Sequence, residues 1–315
     1  MADQGSGELP EPVAHWLEER LLPWQGRIQL VVHRLVHGGN AYSAATRLTP
    51  AVIKDLHQLI PLAPLHMGPA LRLIRWLQAD LLTPPQWACF DTGFHSTLPA
   101  EARTFAIPEA WRASGLQRFG FHGLNHQHVA ELVSVPLLIS CHLGAGCSLC
   151  AIRDGISVAT TMGFTPLDGL VMATRCGSLD PGVLLHQLRA GLTVQELDQA
   201  LNHRSGLLGL SGLSGDMREL RAAAAAGHPG AQLAIAVFRH RLLQGIGAMA
   251  ASLGGADAIA FSGGIGEHDG ALMEELGQAL GWLGPVKLVQ VAADEEGQMA
   301  RACLAASAEA PPGFP

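Results

Sequence analysis

The run from Pro136 to Pro181 constrains this chain more than any other stretch, because it alternates short apolar segments with turn chemistry in one continuous block. Pro136-Leu-Leu-Ile-Ser-Cys141 is an apolar run of the length a buried strand needs. It breaks at His142-Leu-Gly-Ala-Gly146, where two glycines let backbone N–H groups turn toward a ligand with no Cβ in the way. A second strand is expected from Ser148 to Arg153, a hairpin turn at Asp154-Gly155 and a return strand from Ile156 to Thr160. Met162 to Leu170 and Ala173 to Pro181 then read as loop, with Arg175 among few other charges. A glycine turn between strands suits a phosphate group. The chain has two lysines, Lys54 and Lys287, against eighteen arginines, and neither lysine sits in a glycine-rich turn. A P-loop ending in Gly-Lys-Ser/Thr is therefore excluded, and phosphate chemistry must rely on arginine, backbone amides and a metal.

Other strands end in polar residues. Ile28 to Val32 leads into His33-Arg-Leu-Val-His-Gly-Gly39, and Ala88-Cys-Phe leads into Asp91. Asp257 to Phe261 runs into Ser-Gly-Gly-Ile-Gly-Glu267, and Leu288 to Val291 is a late strand. Helical spacing is found at Val13–Leu22, Thr49–Ile60, Leu71–Leu82, Leu184–Leu201, Met217–Ala226 and Ala231–Leu253. Strands interleaved with helices predict an α/β protein, and 315 residues suffice for two domains with their own cores. A net charge of −7 and a pI near 6.1 argue against nucleic acid as a partner. No apolar run approaches the ~18 residues that span a membrane. The six cysteines have no secreted-framework spacing, and the odd spacing of Cys147 and Cys150 within a strand sends them to opposite faces. Buried thiols in a reducing cytoplasm are expected. His33 and His37 lie on a strand-to-turn segment, and His122, His126 and His128 have no carboxylate or thiol nearby to complete a metal cluster.

Cys141-His-Leu-Gly-Ala-Gly146, Met162-Gly-Phe-Thr-Pro-Leu-Asp-Gly169 and Thr174-Arg-Cys-Gly-Ser-Leu-Asp-Pro181 resemble, in register, the centre of the acetate kinase family, which writes C-H-L-G-N-G, M-G-F-T-P-L-E-G and T-R-x-G-x-x-D-P. Ala145 stands where that family usually has asparagine. The resemblance extends from about Val13 to Ala306 and implies the actin-like fold of sugar kinases and Hsp70 ATPases. It implies reversible transfer of the ATP γ-phosphoryl group to acetate, giving acetyl phosphate, with propionate kinase and a silent nucleotide-binding paralogue as alternatives. Mg²⁺ or Mn²⁺ and ATP/ADP are the implied cofactors, a short-chain carboxylate the substrate, and a cytoplasmic homodimer the implied assembly.

The resemblance assigns roles residue by residue. His33-Arg-Leu-Val-His-Gly-Gly39 is similar to H-R-V-V-H-G-G, in which the arginine binds the substrate carboxylate, so Arg34 is the first substrate residue. Val36, Leu65, Phe121 and Pro166 carry over as the apolar acid pocket, where valine at position 36 favours acetate. Leu62-Ala-Pro-Leu-His66 resembles L-A-P-L-H-N-P, leaving His66 either functional or structural. Asp91 matches the catalytic aspartate of V-F-D-T-A-F-H; because a carboxylic acid is already ionised at pH 7, orienting the metal and its waters is the narrower reading. His122, from Arg118-Phe-Gly-Phe-His-Gly-Leu-Asn-His126, and Arg175 would stabilise the transferring group. The nucleotide would be held by His142, Leu143, Gly144, Ala145 and Gly146, by Asp216, Met217 and Arg218, and by Gly264, Ile265, Gly266, Glu267 and His268. Without the resemblance, Asp216 reads as a helix N-cap, and both roles are compatible. Glu295, in Asp294-Glu-Glu296, would support the metal.

The family opens with a strand and hairpin, N-x-G-S-S-S-x-K, that nothing here resembles. The first domain is thus expected to be incomplete, with an exposed sheet edge, and the chain as written to have weak or absent activity. Either the hairpin lies upstream of this sequence or the chain is a true short paralogue; the intact remaining motifs favour the former. The expected domains are 1–92, with 296–315 packing back on it, and a nucleotide-binding 93–295.

Overall fold

The computed structural model describes residues 9–81 and 84–309, without the side chains of 64, 65, 80 and 81. The chain divides into two units, Met1–Gly93 with Glu295–Pro315, and Phe94–Asp294.

The first unit is built on a three-stranded sheet in the order β1-β3-β2. Strand β1 (Val31–Leu35) runs parallel to β3 (Gln86–Phe90), and the short β2 (Thr46–Arg47) pairs antiparallel with β3. Helix α1 (Glu11–Leu21) precedes the sheet; α2 (Pro50–Gln58), whose Val52 N–H is capped by Thr49 Oγ at 3.3 Å, and α3 (Pro64–Trp76) follow β2. Leu35, Ala88 and Phe90 share a core with Ile53, Leu56, Met67, Leu71 and Ile74 of these two helices. Period-two alternation turns Cys89 the other way, toward the C-terminal helix Glu295–Glu309, where its Sγ lies 3.4 Å from Cys303 Sγ. Two expectations need correction. The strand expected at Ile28–Val32 is Val31–Leu35, because Ile28 N–H caps the preceding helical segment on Trp24 O and pairing begins only where Val31 N–H meets Pro85 O. Arg34 therefore sits on the strand itself. The helix expected from Leu71 starts at Pro64, a residue suited to the first helical turn, and takes in Leu65 and His66.

The second unit opens with two short helices, α4 (Ala100–Arg103) and α5 (Glu109–Ala113), then α6 (Gly123–Leu132). Its sheet has the order β6-β5-β4-β7-β8. The antiparallel meander β4 (Leu137–Leu143), β5 (Cys147–Arg153) and β6 (Ile156–Thr160) continues into parallel β7 (Ala258–Ser262) and β8 (Lys287–Gln290). Asp154 (φ 50°) and Gly155 (φ 79°) form the expected hairpin turn with both central residues at positive φ. One core, under α6, gathers Val129, Leu138, Cys150, Ile152, Ala258, Ala260 and Val291. Cys147 and Cys150 do diverge: one Sγ meets Gly144 O, the other Ser157 Oγ.

The helix expected over Leu184–Leu201 is two, α7 (Pro181–Arg189) and α8 (Val194–His203), parted at Gly191 (φ 99°) and restarted by a Thr193/Glu196 capping box. Next come α9 (Gly206–Ser211), α10 (Met217–Ala225) and α11 (Pro229–Leu253). Helix α11 packs on β4, β5 and β6, with Gly245 against Leu149. The glycine-rich segment after β7 is a helix, α12 (Gly263–His268), followed by α13 (Gly270–Ala279). Among the described residues, no helix is long and apolar enough to cross a membrane.

Buried histidines give this unit a pH dependence. His95, 2 % exposed, hydrogen-bonds Ser157 Oγ and Phe121 O, and burial lowers its pKa to about 4. The unfolded chain therefore binds the extra proton first, so stability is complete above pH 6.5 and falls as pH drops toward 4, by about 3 kcal/mol for this group. Urea midpoints at pH 7.5 and 4.5 should diverge less in His95→Gln than in the parent; equal divergence would refute the assignment.

Candidate active site

The β4–β5 hairpin carries the glycine turn. His142 and Leu143, expected in that turn, lie on β4 instead, and only Gly144-Ala145-Gly146 leaves the sheet. Gly144 N–H is not offered to a ligand; it donates to Gly146 O at 3.0 Å, while Ala145 O accepts Ala173 N–H at 3.1 Å. A methyl group built on Gly146 would lie 3.2 Å from His122 Nε2 and 3.5 Å from Arg175 Nη2. The glycine thus brings His122 and Arg175 to one spot. His122 holds a left-handed backbone (φ 58°) at the head of α6, an unusual conformation for a non-glycine residue, and its Nδ1 lies 2.9 Å from Ser148 Oγ. The His142 ring packs beside it, centroids 4.6 Å apart. Arg175 is fixed by donation from Nη1 to Pro166 O at 2.8 Å, and burial lowers its pKa against the pull of Cys147.

The loop that carries Arg175 is braced by a second glycine. Gly206 (φ +61°) lies so close to the chain that a Cβ would collide with Met172 O and come within 2.7 Å of Arg175 O. Gly206→Ala is expected to displace that loop, cutting kcat about tenfold and costing about 1–3 kcal/mol of stability. Steady-state kinetics with denaturant unfolding check this; parent-like values would refute it.

A cavity of about 680 Å³ adjoins the turn. Gly144 and Ala145 form one wall, Gly264, Ile265 and His268 another, and Asp216, Met217 and Arg218 a third. Asp216 caps α10, accepting Arg218 N–H at 2.8 Å, and also pairs with the Arg218 guanidinium, 2.6 Å from Nη2. Hydrogen bonds from Arg218 hold its pKa down to about 2. The N-cap role is thus real. Five residues expected at the nucleotide do not line the cavity: His142, Leu143, Gly146, Gly266 and Glu267. Of these, Glu267 accepts Gly263 N–H at 2.8 Å and Ala293 N–H at 3.0 Å, and Gly266 packs on Phe261, so that pair holds α12 in place. A cavity of similar volume, about 700 Å³, lined by Arg118, Asp168, Arg204 and Arg241 among others, contains none of the expected residues.

In the first unit, Arg34 and Asp91 grip each other, Nε to Oδ1 at 2.8 Å and Nη2 to Oδ2 at 3.0 Å. Burial raises the Asp91 pKa, Arg34 opposes this, and Glu295 adds to it. Burial works against the Arg34 charge, but Asp91, with Glu295 and Glu296, holds its pKa above the ordinary value. Arg34, Asp91, Glu295 and, through its effect on Asp91, His66 therefore share one electrostatic neighbourhood. The sequence reading missed the Arg34–Asp91 pairing. Its signal was two polar residues at adjoining ends of apolar runs, which parallel pairing of β1 with β3 sets side by side. Val36 packs against this unit's core, and the Leu65 side chain lies outside the described residues. Phe121, 1 % exposed, and Pro166 belong to the second unit. Among the described residues, no three His, Cys, Asp or Glu side chains gather as a metal cage.

A sequence profile of the acetokinase family matches residues 11–308. An acetate kinase of Synechococcus sp. (strain JA-2-3B'a(2-13)) is 47 % identical over 316 residues, covering 91 % of this chain and 78 % of that protein. The crystal structure of Porphyromonas gingivalis acetate kinase aligns at a TM-score of 0.87 and 31 % identity, over 93 % of this chain and 84 % of that one. A propionate kinase from Francisella tularensis subsp. tularensis aligns at 0.87 and 33 % identity, over 92 % and 83 %.

Proposed function

The chain belongs to the acetokinase family, with its actin-like fold, and from that premise we propose that it transfers the γ-phosphoryl group of ATP to acetate, reversibly, giving acetyl phosphate and ADP. The observation that carries the reading is the meeting of His122 and Arg175 at Gly146, beside a cavity walled by two glycine segments and the Asp216–Arg218 turn. A glycine turn with one fixed guanidinium and one imidazole is the equipment phosphoryl transfer uses, since positioning and charge stabilisation do most of the work.

The nucleoside binds in the 680 Å³ cavity, with Met217 and Ile265 offering apolar contact and Asp216 and Arg218 the polar contacts. Arg34 directs the acetate carboxylate. An acetate oxygen attacks the γ-phosphorus, the P–O bond to the β-phosphate breaks, and no proton need be transferred, because acetate is already ionised. Arg175 and His122 donate to the equatorial oxygens as charge spreads over them. Asp91 and Glu295 are the residues that would hold Mg²⁺ or Mn²⁺. The upward push of Glu295 on the Asp91 pKa places two carboxylates in one field, and Mg²⁺ is commonly bound through one or two carboxylates plus waters and substrate phosphates. When bound, the ion would neutralise charge on the nucleotide oxygens. Acetate is preferred to propionate because Val36 narrows the pocket, a distinction of only ~1–3 kcal/mol per methylene. A cytoplasmic homodimer completes the reading; the exposed apolar side chains of Val183, Leu185 and Leu188 on α7 support association.

The test is trapping of acetyl phosphate as acetyl hydroxamate from ATP, Mg²⁺ and acetate. Product that depends on all three supports the reading. Tight ATP binding with no product would instead identify a silent nucleotide-binding protein.

A further inference from the structure

The ring of His122 ends a longer chain of hydrogen bonds. Ser148 Oγ lies 2.9 Å from His122 Nδ1 and 2.8 Å from His126 Nε2, and His126 Nδ1 lies 2.8 Å from Ser140 Oγ. His126 stands one turn below His122 on α6, Ser140 on β4 and Ser148 on β5, and all three are 0 % exposed.

Counting protons gives the chain a direction. Ser140 Oγ has no other hydrogen-bonding partner among the described residues. If it accepted from His126, its own hydroxyl proton would be buried with nowhere to go, a cost of about 1–3 kcal/mol. If it donates, His126 Nδ1 is an acceptor. Burial drives the His126 pKa well below its ordinary value, so the ring is neutral and carries its single proton on Nε2. That N–H donates to Ser148 Oγ, which leaves the Ser148 hydroxyl proton to donate to His122 Nδ1. A neutral His122 must then carry its proton on Nε2, and Nε2 is on the edge of the ring that faces Gly146 and Arg175.

We propose that Ser140, His126 and Ser148 are positioning residues, a one-way relay of hydrogen bonds that holds His122 in the Nε2–H tautomer and so keeps a neutral donor aimed at the glycine turn. The inference rests on the reading of that turn as a phosphoryl-transfer site. His126 is thereby a functional residue rather than a filler of the core, and it never meets substrate.

Long-range ¹H–¹⁵N spectra of ¹⁵N-histidine-labelled protein at pH 7.5 read the tautomer directly. The parent is expected to show His122 as Nε2–H. Ser148→Ala is expected to mix the tautomers and lower kcat about tenfold, part of the ~10²–10³ that a whole donor supplies, with KM values within twofold. Ser148→Thr, which keeps the hydroxyl, should restore both readouts. In a His122→Ala background, Ser148→Ala should cost less than twofold more, because its effect passes through that ring. Should Ser148→Ala fail to fold, Ser140→Ala breaks the relay one link earlier and should mix the tautomers likewise. An Nδ1–H tautomer in the parent, or additive losses in the double variant, overturns the relay while leaving the kinase reading intact. A parent with the Nε2–H tautomer but no acetyl phosphate formation overturns the kinase reading and leaves the relay standing.

Discussion

Arg34→Ala should lower kcat/KM for acetate by about 10³-fold and destabilise the protein by about 3 kcal/mol, and the two losses can be separated. The catalytic loss follows from removing a two-pronged carboxylate partner. The stability loss follows from Asp91, whose side chain is 5 % exposed and whose two oxygens are both held by that guanidinium. Breaking a buried pair from one side commonly costs about 3–5 kcal/mol. The low end applies, because the Arg34 side chain keeps 40 % exposure. Adding Asp91→Asn should recover most of the stability and none of the activity. Acid gives a second check. The Asp91 pKa is already raised by burial, and losing Arg34 raises it further, so the carboxyl of the variant takes up its proton at a higher pH. The stability gap between Arg34→Ala and parent should therefore be widest at neutral pH and shrink as pH falls through that pKa. Urea unfolding across pH 5 to 8 measures it. A gap that is constant with pH would mean that Asp91 is not the stranded charge.

Arg175→Ala should reduce kcat by about 10²–10³-fold, the usual consequence of losing one fixed donor to a developing charge. Nucleotide affinity should change less than threefold, since the cavity walls are Gly144, Ala145, Gly264, Ile265, His268 and the Asp216–Arg218 turn. Stability should also hold, because the guanidinium's one protein acceptor in the loop is Pro166 O. Arg175→Lys should recover little, as a point charge cannot keep that carbonyl bond and also reach the turn as a planar fork does. Stopped-time hydroxamate assays with calorimetric ADP titration make the comparison. A variant within tenfold of the parent in kcat would remove Arg175 from the mechanism.

What could be read from the sequence was what neighbouring residues decide among themselves. The Asp154-Gly155 hairpin follows from local turn chemistry, and α2 from Thr49 and Pro50 at its start. The Arg34–Asp91 pair could not be read that way, because its partners are 57 residues apart and meet only through the register of β1 with β3. The glycines after β7 misled for a different reason. A Gly-Gly-Ile-Gly run reads as a turn on propensity, yet it opens a helix in which the Glu267 side chain folds back to accept Gly263 N–H. The break between α7 and α8 was the converse error, in which continuous apolar spacing masked a single left-handed glycine at 191. Of the site, the residue types around Gly146 were legible in the motifs. The relay behind His122 was not, since Ser140 and Ser148 looked like ordinary strand residues.

Drawing the fixed positive charge of the proposed site from arginine has one more consequence. An acyl phosphate is an electrophile that modifies free amines, whereas a guanidinium, protonated at any physiological pH, is a poor target for it. The side-chain amines of this chain are Lys54 on α2 and Lys287 on β8, both open to solvent, and the cation beside the glycine turn is Arg175. A catalyst equipped in this way can release a reactive anhydride repeatedly without blocking the group proposed to stabilise its formation.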